Sequence, residues 1–196
     1  TIVGYARLAE RGALPGESKE AIEAIRAECD TLESVITRFV DFVRDEKLNR
    51  ASFDLSRTLR RVVARESRNR RTTVSTDLPD APAVFDGDED LLERALENLV
   101  RNALDASGPE GHVELRLARD DSAFFVIVAD DGPGLVRGDG EQPRPFLSTK
   151  PRGLGLGLPL ALKITRLHGG DLVLSNREPH GLTVTLRLPV AAQTAA

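Results

Sequence analysis

Between residues 18 and 47 the apolar side chains recur at alternating intervals of three and four residues. They are Ile22, Ile25, Cys29, Leu32, Ile36, Phe39 and Val43. This spacing puts one apolar stripe along one side of an α-helix and is typical of coiled coils and helical bundles. We therefore predict a long helix from about Ser18 to Lys47.

An earlier helix is predicted over residues 1–12, and Pro15 and Gly16 predict a turn between the two helices. Two antiparallel helices make a thin core, so we expect residues 1–47 to form a homodimer through a four-helix bundle. In the alternative arrangement, the second helix packs on the downstream part of the chain.

From residue 51 onward, alternating apolar residues predict strands, and helical spacing predicts helices. The predicted strands are 52–55, 72–78, 81–87, 112–120, 123–131, 171–176 and 181–189, and the predicted helices are 56–71, 88–107 and 156–168. Strands 72–78 and 81–87 flank a turn at 79–82, and the last four strands form two hairpins. This order predicts an α+β fold, in which helices cover one face of a mixed, mostly antiparallel sheet.

The amino-acid composition limits the kinds of partner that the chain can bind and the cellular compartment that suits it. The net charge of −4 and an aromatic content of 4% argue against nucleic-acid binding. One cysteine, Cys29, excludes an internal disulfide and suits a reducing, cytoplasmic compartment. The longest apolar run, 123–129, is too short to span a bilayer. Because the chain begins at Thr1 and contains no Met, we expect a longer parent protein, with any membrane anchor in its upstream part.

The predicted helix 88–107 has two asparagines on its polar side. Asn98 and Asn102 lie about 40° apart around the helix axis, on a stripe shared with Arg94 and Asp105. The apolar residues on the other side should face the sheet; they are Leu92, Ala95, Leu96, Leu99, Val100 and Ala103. Amide oxygens are suitable ligands for a hard cation such as Mg²⁺ that is held mainly by substrate phosphates. The alternative is a plain solvated helix face.

Two glycine-rich segments follow. In "ADDGPGL" (129–135) Asp130 comes at a strand exit, where a buried carboxylate needs a donor and an adenine amine would serve. In "RGLGLGL" (152–158) alternating glycines lead into a helix N-terminus, a site suited to phosphate, with Lys150 close by. The alternatives are a tight turn and a charged surface loop.

These elements, in this order, resemble the ATP-binding domain of sensor histidine kinases, in the GHKL superfamily shared with gyrase and MutL. The matching motifs are "NLVRNALDA" (98–106), "DDGPG" (130–134), "PFLSTK" (145–150) and "GLGLGL" (153–158). The preceding heptads resemble the dimerisation and phosphotransfer bundle of the same kinases. The resemblance divides the chain into a partial helical hairpin (1–48), a two-layer α/β sandwich of the Bergerat ATPase type (49–192) and a tail (193–196).

The resemblance also implies a site for ATP and Mg²⁺. Asn102 would be the Mg²⁺ ligand, Asn98 would help to place the phosphates, and Asp130 would bind adenine. Lys150 and the backbone of 153–157 would hold the phosphates under a lid formed by 135–153. The implied ATP-binding residues are Asn98, Asn102, Asp105, Asp130, Gly132, Gly134, Thr149, Lys150, Gly153, Gly155, Leu156, Gly157, Leu158 and Thr183.

Three departures from the family pattern bear on function. Leu154 stands where a threonine or serine is usual. The histidines, His112, His168 and His180, all fall in the catalytic domain, so the phosphoacceptor histidine is expected upstream of this chain. His168 is predicted to lie at a helix end, favourably placed at the negative end of the dipole. The related ATPases place a general-base Glu four residues before the metal-binding Asn, and that position here is Asn98.

A missing base makes hydrolysis slow, whereas transfer to histidine does not require that base. We therefore expect an ATP-dependent histidine kinase core that passes its phosphoryl group to an aspartate of a response regulator. The alternatives are a non-catalytic ATP-binding or dimerisation scaffold of the same fold, and an ATP-gated clamp like the gyrase relatives.

Overall fold

The computed structural model describes residues 15–44, 46–135, 143, 145 and 155–190. The chain divides into two compact units, Thr1–Asp45 and Glu46–Ala196. The predicted helix over 1–12 and the predicted tail 193–196 lie outside the described residues.

The first unit contains the long helix α1, Pro15–Val43. The predicted turn at Pro15 and Gly16 is wrong, because the helix begins at Pro15. Proline suits the first helical position, where its fixed φ matches the helix and its missing N–H would have no partner. Several residues of the predicted stripe are exposed in this single chain; they are Ile22, Leu32, Ile36, Phe39 and Val43.

The second unit alternates strands and helices. The strands are β1 (Ala51–Asp54), β2 (Thr73–Asp77), β3 (Val84–Gly87), β4 (His112–Arg119), β5 (Ala123–Asp130), β6 (Asp171–Asn176) and β7 (Leu182–Pro189), and the helices are α2 (Leu55–Glu66), α3 (Glu89–Ser107) and α4 (Gly157–Leu167).

Five of the strands form one sheet in the order β2-β4-β5-β7-β6. The pairing of β2 with β4 is parallel and the other three pairings are antiparallel. Helices α3 and α4 pack on this sheet, and α2 packs on α3. The predicted α+β class, with a mostly antiparallel sheet under helices, is confirmed.

The expectation that 72–78 and 81–87 are neighbours around a turn is wrong. Strand β3 pairs with β1 in a separate two-stranded sheet, whereas β2 joins the large sheet beside β4. Pro79 and Pro82 fix φ twice within the connecting segment, and this opposes a tight hairpin. Asp54 instead holds the end of this segment, because its Oδ1 accepts a hydrogen bond from the Ala83 N–H at 2.9 Å.

The core lies between the sheet and α3. Burial along β4 alternates as predicted, with Val113, Leu115 and Leu117 inside. All six apolar residues predicted to face the sheet from α3 are buried. Their burial fixes the rotation of the helix about its axis, and this rotation determines where the polar stripe of α3 points.

Candidate nucleotide-binding site

The asparagine pair of α3 faces the first residue of α4. Asn98 donates a hydrogen bond from Nδ2 to the Arg94 carbonyl at 2.8 Å, so its amide nitrogen is occupied. A Cβ atom built on Gly157 would lie 2.9 Å from Nδ2 of Asn102 and 3.4 Å from Oδ1 of Asn98. A side chain at this position would have to displace the Asn102 amide, so glycine lets two of the sequence motifs lie close together.

The N-terminus of α4 differs from those of α2 and α3. Asp54 caps α2 by accepting from the Ser56 N–H, and Asp88 caps α3 by accepting from the Leu91 N–H. Leu156 occupies the same position before α4, is buried, and makes no side-chain capping bond. The N–H groups of the first turn of α4, those of Gly157 and Leu158, therefore lack a side-chain cap, and with the helix dipole they suit an anion.

Asp130 forms the second part of the site at the end of β5. Its side chain is 3% exposed in spite of its charge. Oδ1 accepts hydrogen bonds from the Gly132 N–H at 2.9 Å and from the Leu182 N–H at 3.3 Å. Burial raises the pKa of Asp130, and these two bonds oppose the rise. No bond to Oδ2 arises from the described part of the chain, so this oxygen suits an external donor such as an exocyclic amine.

The glycines after Asp130 let the chain pass through a narrow space. A Cβ atom on Gly132 would lie 2.8 Å from the Cβ of Ala106 on α3. Gly134 has φ of +73°, and a Cβ there would lie 2.7 Å from Oδ1 of Asn176. The loop is thus confined between α3 and the end of β6.

Side chains from the end of β6 and from the turn before β7 hold this loop in place, and sequence reasoning missed all of them. Asn176 accepts from the Leu135 N–H at 2.7 Å and donates to the Leu135 carbonyl at 3.2 Å. Arg177 donates to the Asp130 carbonyl at 3.4 Å, and His180 Nδ1 donates to the Asp131 carbonyl at 2.9 Å. No sequence signal marked these residues, because each acts on a backbone distant along the chain.

The structure does not bring the Thr183 side chain to the face of the sheet that carries the Asp130 side chain. In the register of β5 with β7, Thr183 lies opposite Ala129, whereas Leu182 lies opposite Asp130. Paired residues share a face of the sheet and neighbours along a strand alternate. Thr183 therefore points away from the face that carries the Asp130 side chain, and Leu182 contributes its backbone N–H instead.

The remaining predicted residues differ in their placement. Asp105 forms an ion pair with Arg70 at 2.7 Å, which ties α3 to the segment after α2. Gly155 lies just before Leu156 and has φ of +64°. Thr149, Lys150 and Gly153 lie outside the described residues, as do Leu154 and most of the predicted lid 135–153.

Glu97, the acidic residue next to Asn98, lies on a different side of α3. Its carboxylate pairs with Arg65 on α2 and lies 3.9 Å from Arg101. The helix rotation of about 100° per residue separates the two neighbours. Asn98 faces Gly157 and Glu97 faces α2, so this carboxylate is not placed to activate water beside the asparagine pair.

His168 ends α4 as predicted, but it is not a charged helix end. It is buried, and burial lowers its pKa, against the opposing effect of its bond to the Ile164 carbonyl. Nδ1 donates to that carbonyl at 2.8 Å, and Nε2 accepts from the Asp88 N–H at 3.0 Å. A backbone donor on one nitrogen and a backbone acceptor on the other fix a neutral tautomer.

An amide pair, an uncapped helix N-terminus and a buried carboxylate after a strand are together suited to bind a purine nucleotide. The sequence profile of the histidine kinase-, DNA gyrase B-, and HSP90-like ATPases matches residues 87–192. The chain belongs to this family, and residues 87–192 include every site residue described above.

Among curated proteins, the chain is 29% identical to the sensor histidine kinase ZraS of Escherichia coli K12, over 97% of this chain and 42% of that protein. It thus spans less than half the length of this relative. The solved mycobacterial sensor histidine kinase MprB is 27% identical, with a TM-score of 0.65 over 72% of this chain and 97% of that one.

The fold is also similar to that of the histidine kinase ThkA in its complex with the response regulator TrrA. The TM-score is 0.76 at 24% identity, over 99% of this chain and 58% of that one. In the described residues no helix is long and apolar enough to cross a membrane. No group of three or more His, Cys, Asp or Glu side chains in the same residues could hold a metal ion.

Proposed function

We propose that this chain is the ATP-dependent core of a sensor histidine kinase, which transfers the γ-phosphoryl group of ATP to a histidine outside the described site. The placement of the acidic residue next to Asn98 favours phosphoryl transfer over ATP hydrolysis. Asn98 stands beside Asn102 and Gly157, while the neighbouring carboxylate of Glu97 pairs with Arg65. Within the described residues, the carboxylate next to Asn98 is thus not placed to deprotonate water beside the asparagine pair.

Each part of the site has a separate role in this proposal. Asp130 binds the amine of adenine through Oδ2, while its two bonds to backbone N–H groups hold the carboxylate still. The N–H groups at the start of α4 donate hydrogen bonds to the phosphates, and the helix dipole favours the negative charge of the phosphates. Catalysis then consists mainly of positioning the γ-phosphoryl group for attack by an imidazole nitrogen.

Mg²⁺ fits the side-chain amides that α3 presents beside the start of α4. Asn98 uses its Nδ2 on the Arg94 carbonyl, so its amide oxygen is the atom left toward Gly157. Asn102 presents a second amide at the same place, and amide oxygens with nucleotide phosphates suit this ion. When bound, Mg²⁺ would offset the negative charge of the phosphates.

The partners follow from the relatives rather than from the site. The solved ThkA structure contains a response regulator, and we propose that a receiver aspartate of such a protein is the final acceptor here. We also propose that a second copy of the chain covers the apolar stripe of α1, because Ile22 and Val43 are 58% and 59% exposed on the isolated chain.

The test supplies the acceptor in trans. The chain is mixed with γ-labelled Mg·ATP and with a dimeric helical bundle that carries a phosphoacceptor histidine, and label on the bundle is followed at alkaline pH, where phosphohistidine persists. Transfer abolished by Asn102→Ala supports the kinase. Tight Mg·ATP binding without transfer would support the non-catalytic scaffold, and rapid phosphate release by the chain alone would support an ATP-gated clamp.

A further inference from the structure

The segment 46–50, which opens the second unit, is fastened to the helix that carries the asparagine pair. Glu46 Oε1 accepts a hydrogen bond from Arg94 Nη1 at 2.9 Å, and Asp88 Oδ2 accepts one from the Asn49 N–H at 2.9 Å. Arg50 donates to the Asp86 carbonyl at 3.2 Å. Both ends of the segment are thus fixed to β3 and the first half of α3.

Arg94 joins this segment directly to the site. Its carbonyl accepts the Nδ2 bond of Asn98 at 2.8 Å, which leaves Asn98 Oδ1 toward Gly157. The ion pair of Arg94 with Glu46 is mostly shielded, with side chains 27% and 15% exposed. A pair with so little solvent around it holds its geometry more firmly than a surface pair does.

Asp88 makes a second connection. It caps α3, accepts from Asn49, and donates its own N–H to His168 Nε2 at the end of α4. Segment 46–50 therefore contacts α3 at two points and reaches α4 through one residue. These are the two helices whose contact at Gly157 forms the phosphate end of the site.

We propose that Arg94 is a positioning residue, whose ion pair with Glu46 makes the affinity of the phosphate end depend on where segment 46–50 lies. With the pair intact, α3 presents Asn98 to the first turn of α4. Loss of the pair lets this turn of α3 shift and weakens the phosphate contacts, while Asp130, which is fixed by β7, keeps its hold on adenine. The inference rests on the proposed function, because that function places adenine at Asp130 and the phosphates at the start of α4.

The test uses the whole chain, displacement of a fluorescent ATP analogue, and two competitors, Mg·ATP and adenosine. The variants are Glu46→Gln and Arg94→Gln. Glu66→Gln and Arg101→Gln are matched controls: Arg101 also lies on α3, but its partner at 3.0 Å is Glu66 at the end of α2, and the Arg101 and Glu66 side chains are 33% and 13% exposed. The charge-exchanged variant with both Glu46→Arg and Arg94→Glu tests for rescue.

We expect Glu46→Gln and Arg94→Gln to raise the Kd of Mg·ATP by about fivefold or more, and the exchanged variant to recover part of this loss. Adenosine should bind all variants within about twofold of the unaltered chain, and the controls should bind both competitors normally. An equal loss for adenosine, an equal loss in the controls, or unchanged Mg·ATP binding would overturn the inference. Failure of the unaltered chain to bind Mg·ATP would instead refute the proposed function.

Discussion

Gly157, the first residue of α4, lies against the side-chain amide of Asn102 on α3: a Cβ atom at Gly157 would stand 2.9 Å from Nδ2. The contact joins two motifs that are far apart in sequence. It places the positive N-terminal end of α4 beside the amide pair of α3.

Gly157→Ala should weaken Mg·ATP binding by about tenfold or more, because the new methyl group displaces the Asn102 amide and intrudes on the phosphates. Calorimetric titration measures the effect. Gly108→Ala is the control, since that glycine has φ of +73° and nothing within 4 Å of an added Cβ. It should lower the melting temperature and leave the affinity unchanged. A similar loss of affinity in both variants would mean that the Gly157 effect is merely structural.

Asn102→Ala should separate binding from stability. Alanine is the better helix former by roughly 0.5 kcal/mol, which offsets the loss of the contacts that Asn102 makes, so the free energy of unfolding should change little. The affinity for Mg·ATP should fall by about tenfold or more, because an amide ligand to the metal and phosphates is lost. Equal affinities of the variant and the unaltered chain would remove Asn102 from the site.

Asp130→Asn should stabilise the fold at neutral pH and weaken ATP binding. Burial raises the pKa of Asp130 above 3.8, so the native state keeps its proton where the unfolded chain has lost it. Stability therefore falls as the pH rises through this window. The asparagine Oδ1 still accepts from Gly132 and Leu182. Urea unfolding at pH 7, together with calorimetry, tests both effects; reduced stability with normal affinity would contradict them.

His168 should make the fold sensitive to acid. Burial lowers its pKa below 6.5, so on acidification the unfolded chain takes up a proton before the native state does. The stability contributed by neutral His168 is fully present above pH 6.5 and is lost as the pH falls through the lowered native pKa. His168→Gln keeps an acceptor for the Asp88 N–H, and its urea midpoint should vary less with pH between pH 7 and pH 5. An unchanged slope would show that another group causes it.

Glu97→Gln should leave both phosphoryl transfer and ATP hydrolysis within about twofold of the unaltered chain. The carboxylate pairs with Arg65 on α2 and takes no part in the nucleotide site. Phosphate release measured under saturating Mg·ATP tests this. A tenfold fall in hydrolysis would identify Glu97 as a base after all.

Much of the fold was predictable from local pattern. Alternation in β4 and the apolar face of α3 identified both elements, because one-sided burial leaves a periodic trace in the sequence. The asparagine pair and Asp130 were found for a related reason, since polar residues beside such faces stand out. The sequence predicts a turn at Pro15 where the structure has a helix start, because proline suits both a turn and a first helical position.

Contacts that depend on tertiary register were not predictable. Thr183 and Leu182 are adjacent, and only the pairing of β7 with β5 decides which of them shares a face with Asp130. Asn176 and His180 act on backbone groups far along the chain, where neither spacing nor composition leaves a signal. The buried state of His168 likewise follows from the packing of β3 and α4, not from its place at a helix end.

The most direct test measures how the γ-label divides between an acceptor histidine supplied in trans and inorganic phosphate. The unaltered chain is compared with the variant Asn98→Glu. We expect the unaltered chain to transfer most of the label to histidine. Asn98→Glu, which places a carboxylate where the related ATPases carry their base, should shift the label toward inorganic phosphate. Predominant phosphate release by the unaltered chain, or no shift in the variant, would contradict the account.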